Sequence, residues 1–409
     1  MALLPVAEAL ERVLASAPGI VEAETIPLAQ CHGRTLAQDV AARRTQPPFP
    51  VSAMDGYAVR AADVAQVPAE LRVTGESAAG RGWRGAISEG EAVRIFTGAP
   101  LPEGADAIVI QEDCDRLDSD RIRVREGAPA GRYLRSAGLD FSEGDVLLRA
   151  GRRLDAGDIA LAAAMNHAAL SVRRKPRVAI IATGDELVLP GETPGPDQIV
   201  ASNIFALAAM IEKAGGEAID CGIARDTRED VTRVVAQAQA HRPDILLTLG
   251  GASVGDHDLV QATLKDLGLE LGFWRIAMRP GKPLMHGRLG ATLFLGLPGN
   301  PVSAMVCAIL FVAPAIRSLL GDPEAARGAR TEPAILAVDL GENDRREDYL
   351  RSTLTIRPDA LPLATPFTKQ DSSMLGHLAR ADALVIRAPF APPAKAGDLV
   401  TTIRLDAVF

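Results

Sequence analysis

From Arg177 to Leu320, short apolar runs alternate with amphipathic segments. This alternation restricts the fold more than any other feature of the chain. The runs "VAIIA", "AIDCGIA", "DILLTL", "FWRIAM" and "TLFLGL" read as buried strands. The segments "SNIFALAAMIEKAGG", "TREDVTRVVAQAQAH", "DHDLVQATLKDLG" and "PVSAMVCAILFVAPAIRSLL" read as helices. Ser202 or Asn203 opens the first helix and Gly215-Gly216 closes it, while Thr227 with Asp230 resembles a capping box. Such alternation predicts a parallel α/β sheet with helices on both faces.

The flanks are written differently. Tyr57 to Val124 gives short strands with turns, such as "YAVR", "AVRIFTG" and "AIVIQ". After Arg327 the strand pattern returns in "AILAVDL", "YLRSTLTI" and "LVTTIRL". A chain of 409 residues is too long for one typical core. The expected fold is therefore α/β plus β and multidomain: a central parallel α/β domain over 176–327, a β-rich domain over 47–136 and a C-terminal β domain over 328–409. The first domain is expected to be discontinuous, 1–46 with 137–175, with the amphipathic start "MALLPVAEALERVL" beside the alanine-rich helix "LDAGDIALAAAMNHAAL". That start has no basic leader region and meets Glu8 early, so it reads as a helix and not as a signal peptide. Leu289 to Ile316 carries no charge, but "LPGNP" divides it into a strand and a helix, each shorter than the ~18 residues of a membrane span.

In an open α/β sheet, ligands bind at the carboxyl ends of the strands. Here those ends lead into "TGDEL", "RDTRED", "GGASVGDHD", "RPGKP" and "LPGNPVS", all rich in Gly or Pro and in charge or hydroxyl. Glu186, Asp226, Asp256 and Asp258 supply hard oxygen ligands suited to Mg²⁺. Arg275, Arg279 and Lys282 supply positive charge, and Gly250, Gly251 and Gly255 permit close backbone approach. The crevice suits a phosphate-bearing anion with bridging magnesium. The bland alternatives are that Asp226 or Asp256 caps the following helix and that Arg275 is a solvated strand residue. His257 reads as a surface group. A net charge of −8 argues against nucleic acid as a partner. Cys31, Cys114, Cys221 and Cys307 are widely spaced, which fits a reducing compartment, the cytoplasm.

The loop "GGASVGDHD" has a second reading. Gly251-Ala-Ser-Val-Gly255 matches the G-x-S-x-G nucleophile elbow, with Ser253 as nucleophile and His286 or His377 as its base. Asp256 and Asp258 would then put negative charge beside an oxyanion hole, which opposes the transition state. Gly80-Arg-Gly-Trp-Arg-Gly85 matches G-x-G-x-x-G but lacks a strand–turn–helix context, and there is no P-loop.

The segments "PPFPVSAMDGYAVR", "RIFTGAPLPEGADAIV", "ATGDEL", "TLGGASVGDHD", "MRPGKP" and "LGLPGNPVSA" resemble, in order and spacing, the molybdopterin molybdenumtransferases, the MoeA proteins and the gephyrin E domain. The resemblance runs over nearly the whole chain. It implies four domains in an elongated homodimer, with the α/β domain of one subunit meeting the β-rich domain of the other. It implies a molybdenum insertase that converts adenylyl-molybdopterin and molybdate to molybdenum cofactor and AMP with Mg²⁺. By motif, Asp226, Asp258 and Glu186 are metal or pyrophosphate-site acids. Asp55, Thr97 and Asp140 face the partner's crevice. Lys282, Pro283, Ser303, Arg351 and Ser372 lie near molybdate, and Pro298 and Pro301 shape their loop. Implied partners are the adenylyltransferase that supplies the substrate and the enzymes that accept the product, with neither nucleic acid nor membrane. Pro50-Val51 departs from the family's frequent Asp-Asn, and Arg275 and Arg279 stand where some members have Lys. The rival readings are the adenylyltransferase that makes the substrate, which shares the α/β fold, and a receptor-anchoring scaffold.

Overall fold

The structure is a computed structural model that describes residues 3–251 and 259–406. Its centre is a six-stranded sheet. In chain order the strands are β1 (Arg177–Thr183), β2 (Glu217–Ala224), β3 (Ile245–Leu249), β4 (Leu269–Arg275), β5 (Pro283–Leu289) and β6 (Thr292–Leu297). Across the sheet the order is β2-β1-β3-β6-β5-β4. The first four are parallel neighbours, while β5 runs antiparallel to both β6 and β4. The sheet is thus mixed and not wholly parallel. The reason is local: no helix separates β5 from β6, and Gly290 at φ +63 turns the chain straight back.

Apolar residues fill both faces of the middle strands. Val178, Ile180, Ile245, Leu247, Leu293 and Leu295 face one core; Ala179, Ile181, Leu246 and Phe294 face the other. This period of two, buried on both sides, is why the strands read as continuous apolar runs. Helices Asn203–Ala214 and Pro301–Leu319 cover the first face, and Arg228–Ala240 and Leu259–Asp266 cover the second. Gly215 closes the Asn203 helix at φ +97, as its sequence suggests.

Two expectations need correction. Helix Val6–Ala15 does not pack beside the alanine-rich helix. Its Ala9 and Val13 enter the first central core, and Leu4 bridges Ile276 at the end of β4. The helix buries an apolar stripe against the Pro301–Leu319 helix, whose single charged residue, Arg317, lies in the last turn. That helix is the expected Pro301–Leu320 segment, but it continues past the uncharged stretch through Arg317 and so exceeds the length of a membrane span. It runs unbroken for 19 residues, long and apolar enough by composition to cross a membrane, but 83% of an 18-residue stretch of it is buried in the fold. Pro314 does not break it because the turn Ala308–Val312 widens to a π-helix just before the proline, which has no N–H to offer.

The flanking units are β. Segments around Cys31–Ala42 and Phe141–Val172 share one core, joined by Ala23–Pro27 pairing Ala169–Arg173. A six-stranded sheet lies between Gly56 and Val124. At the C-terminal end, Glu347–Arg357, Ala360–Pro366, Glu332–Leu336, Leu399–Arg404 and Ala383–Arg387 pair in that order, and the last pairs with the first, closing a barrel. Met278–Arg279, from the loop after β4, adds to this barrel beside Glu347–Asp348. The central sheet and the barrel are therefore joined through the "RPGKP" loop.

Candidate functional site

The carboxyl ends of β1, β2, β3, β4 and β6 lie along one edge of the central sheet. The chain leaves β1 toward β2 on one side and returns to β3 on the other, so a crevice opens between β1 and β3. A cavity of about 570 Å³ occupies it. Its walls include Thr183 and Glu186 after β1, Gly250 and Gly251 after β3, Pro283 at the start of β5, and Pro298, Asn300 and Pro301 after β6. Glycine is required at both positions after β3. Gly250 (φ +93) would place a Cβ 2.8 Å from the Thr183 carbonyl, and Gly251 (φ +61) would place one 2.6 Å from Val260 Cβ. The Asn203 side-chain amide donates to the Gly299 carbonyl at 2.7 Å and ties the helix after β1 to the loop after β6.

The barrel completes this wall. Asn300 donates to the Ser372 hydroxyl at 2.9 Å, Val302 N–H donates to the Ser372 carbonyl at 3.1 Å, and Ser373 lines the cavity. Beneath that loop lies Arg351, which is 0% exposed. Its Nε donates to Gln370 Oε1 (3.1 Å) and its Nη1 to the Asp371 carbonyl (2.8 Å), while Nη2 has no partner. It meets only neutral acceptors. Burial pushes its pKa down, and the charge of the Asp371 carboxylate, which shares no hydrogen bond with it, offsets this only in part. Ser303, in the first turn of the Pro301 helix, is also buried.

The "RPGKP" loop separates its cations. Arg279 donates from Nε to Asp348 Oδ1 at 2.8 Å and forms a second bond to Asp348 and one to Asp344, so its charge is met within the protein. Lys282 is half-buried and has no ion pair among the described residues. Arg275 stacks over the Trp274 ring at 4.3 Å, with its Nε buried and unpartnered.

Glu186 and Asp226 are exposed on adjacent loops, and neither carries an ion pair among the described residues. Asp226 is not the helix cap. Thr227 accepts from Asp230 N–H at 3.2 Å, and the Asp230 carboxylate accepts from Arg225 N–H instead of closing a capping box. Asp226 N–H donates to Asp185 Oδ1 at 3.2 Å, linking the loops after β1 and β2. Among the described residues no group of three His, Cys, Asp or Glu is placed to hold a metal. Asp258, Ser253, Gly255, Asp256 and His257 lie outside the described residues. Asp185, Asn203, Asn300, Gln370 and Ser373 were not singled out from the sequence. Asp185, Asn300, Gln370 and Ser373 sit within or beside the motifs already noted, and only Asn203, assigned to a helix start, had no such signal.

The remaining acids lie elsewhere. Thr97 N–H and hydroxyl both donate to Asp55 Oδ1, at 2.7 and 2.8 Å, and hold its carboxyl below the usual range. Asp140 is on the loop that pairs with Gln46. None of the three lines the cavity within this chain.

The elbow reading loses its base. His286 is buried, stacks on Phe273 at 4.7 Å, and has neither ring nitrogen bonded. His377 stacks on Phe367, and its Nδ1 is buried without a partner. Among the described residues no carboxylate orients either ring, as a triad requires. Burial pushes the His286 pKa down to about 4. Unfolded, it titrates near 6.5. Between these values the unfolded chain binds the extra proton, so the site costs stability as pH falls from about 6.5 toward 4. His286→Phe is expected to flatten that part of the melting-temperature profile, and parallel profiles for both proteins would count against it.

Three family regions match in order. The MoeA N-terminal region (domain I and II) matches residues 4–166, a probable molybdopterin binding domain matches 179–318, and the MoeA C-terminal region (domain IV) matches 333–405. A molybdopterin molybdenumtransferase of Nostoc sp. is 36% identical over 376 residues, covering 89% of this chain and 85% of that one. One from Haemophilus influenzae is 32% identical over 401 residues, covering 98% of each. A crystal structure of a molybdopterin biosynthesis MoeA protein from Pyrococcus horikoshii aligns with a TM-score of 0.82 at 32% identity, covering 98% of this chain and 99% of that one. Likeness of this extent, carried by every region in sequence order and by the fold that joins them, makes the chain a member of the molybdopterin molybdenumtransferase (MoeA) family and so a transferase of molybdenum cofactor biosynthesis.

Proposed function

We propose that the crevice between β1 and β3 takes adenylyl-molybdopterin and molybdate, and that the chain inserts molybdenum with release of AMP. The observation that carries this reading is Arg351, a buried guanidinium with an unpartnered Nη2 below the Ser372 loop. A tetrahedral oxyanion is the chemical complement of such a donor. Lys282 adds charge, and Ser303 and Ser372 add hydroxyls around the same place. Arg279, already paired with Asp348, anchors the loop that carries Lys282. Gly250, Gly251 and Gly255 let backbone N–H groups approach the pyrophosphate, and Pro283, Pro298 and Pro301 fix the walls. Arg275 extends the cationic side.

Glu186 and Asp226, with Asp258, fit Mg²⁺: their oxygens are hard, and magnesium commonly uses one or two carboxylates together with substrate phosphates. Bound magnesium supplies charge neutralisation at the phosphoanhydride. The protein's own contribution is orientation, holding molybdate against the dithiolene sulfurs while the adenylyl group is held in place for cleavage. Asp55, Thr97 and Asp140 are assigned to the partner's crevice in a homodimer. Four free thiols suit a reducing, cytoplasmic setting, where the donor of the substrate and the acceptors of the product would also be met.

The test mixes full-length protein with adenylyl-molybdopterin, molybdate and Mg²⁺, following AMP release and activation of a cofactor-free molybdoenzyme. AMP release that needs both molybdate and magnesium is expected. Asp226→Asn should slow it by about 100-fold or more, the scale of removing one preorganised charge. Formation of adenylyl-molybdopterin from ATP and molybdopterin, without insertion, would move the assignment to the adenylyltransferase.

A further inference from the structure

The β-rich unit holds a second cavity, about 470 Å³, lined by Tyr57, Thr74, Arg94, Arg116, Ser119 and Arg121 among others. Its charge is unusual for this acidic chain. Most arginines of the unit meet a carboxylate, Arg60 with Asp63, Arg72 with Glu91 and Arg123 with Glu70 among them. Among the described residues Arg94 and Arg116 form no ion pair. Arg94 donates to the Gly56 carbonyl (3.1 Å) and to Gln111 Oε1 (2.6 Å), and its guanidinium lies 5.1 Å from the Tyr57 ring centroid and 4.9 Å from that of Phe96. Arg116 donates only to the carbonyls of Asp118 and Ser119, at 3.0 and 3.2 Å. A guanidinium has five N–H groups, so these bonds leave three on each. The acids here are already paired: Asp118 with Arg121, itself part of the lining, at 2.7 Å, and Glu76, also in the lining, with Arg81 at 3.4 Å.

We propose that this cavity is an anion-binding site for a phosphate group, with Arg94 and Arg116 as its charged donors and Thr74 and Ser119 as its hydroxyls. The two rings hold the Arg94 plane in place, so little freedom is lost when it binds. Guanidinium forks suit the oxygens of phosphate better than a point charge does. The site borders Asp55, whose carboxylate feels the Arg94 charge, whereas Arg116 lies outside the residues assigned to the sheet crevice. Two sources offer such a phosphate, the free anion and a nucleotide.

Full-length protein titrated calorimetrically with inorganic pyrophosphate, and separately with AMP, distinguishes them. Arg116 is the residue to change, because its bonds stay within its own hairpin. Arg351→Gln, in the sheet crevice, serves as the reference. One pyrophosphate equivalent per chain should survive Arg351→Gln and weaken at least tenfold in Arg116→Ala, with Arg116→Lys intermediate and the melting temperatures of both Arg116 variants close to that of the parent. The same pattern with AMP assigns a nucleotide phosphate, and the pattern with pyrophosphate alone assigns the free anion. If neither probe binds, or if all binding is lost in Arg351→Gln and unchanged in Arg116→Ala, the assignment is overturned.

Discussion

Arg351→Met is expected to lower molybdenum insertion by about 100-fold or more, the range for losing a preorganised charged donor in a closed site. The loss should appear first as a higher molybdate requirement, because the orphan Nη2 is the group assigned to the oxyanion. A structural cost comes with it. Gln370 Oε1 keeps the Arg351 N–H and the Asp371 carbonyl keeps the Met374 N–H, so the cost is the loss of two charge-assisted bonds, about 1.5–3 kcal/mol each at most. Arg351→Lys separates the two effects: it keeps the charge without the fork, so it should recover part of the molybdate response. Turnover measured against molybdate concentration, beside thermal melting, reads both. If melting falls while the molybdate dependence stays that of the parent, Arg351 only holds the Ser372 loop.

Gly250→Ala is expected to be nearly as damaging, for a different reason. The residue sits at φ +93, and a methyl group would meet the Thr183 carbonyl at 2.8 Å and its hydroxyl at 2.9 Å. Left-handed backbone alone costs about 1–2 kcal/mol for a residue with a Cβ. The contact adds to it, and relief requires the floor of the crevice between β1 and β3 to open. Gly222→Ala is the control, since it has a similar φ of +81 and nothing within 4 Å of the added Cβ. Gly250→Ala should lose both stability and substrate binding, whereas Gly222→Ala should lose only the backbone part of the stability. Equal losses in the two variants would mean that the close approach at Gly250 is unimportant.

Much of the site was legible beforehand because strand ends are legible. Apolar runs of five to seven residues stop where the chain must leave the sheet, so the loops after them can be named without coordinates. That places Glu186, Asp226, Gly250 and Pro298 at one edge once the strands are parallel. Arg279 was not legible in the same way. Its basic loop suggested a ligand, but its carboxylate partner, Asp348, lies 69 residues along the chain, and only strand pairing with the barrel brings them together. The capping box at Thr227 was half right, since Asp230 turns to Arg225 N–H, a donor that local spacing does not reveal.

The sequence by itself determined the alternation of strands and helices, the β character of the flanking units and the family motifs, because these rest on local periodicity and on residues near each other in the chain. The tertiary structure decided the antiparallel β5, the helix Val6–Ala15 packed on the central core, the closure of the C-terminal barrel and the burial of Arg351 among carbonyl acceptors. Each of these depends on which distant surfaces meet. Burial free energy rewards any complementary apolar face, and the order of residues along one strand or helix does not say which face that is.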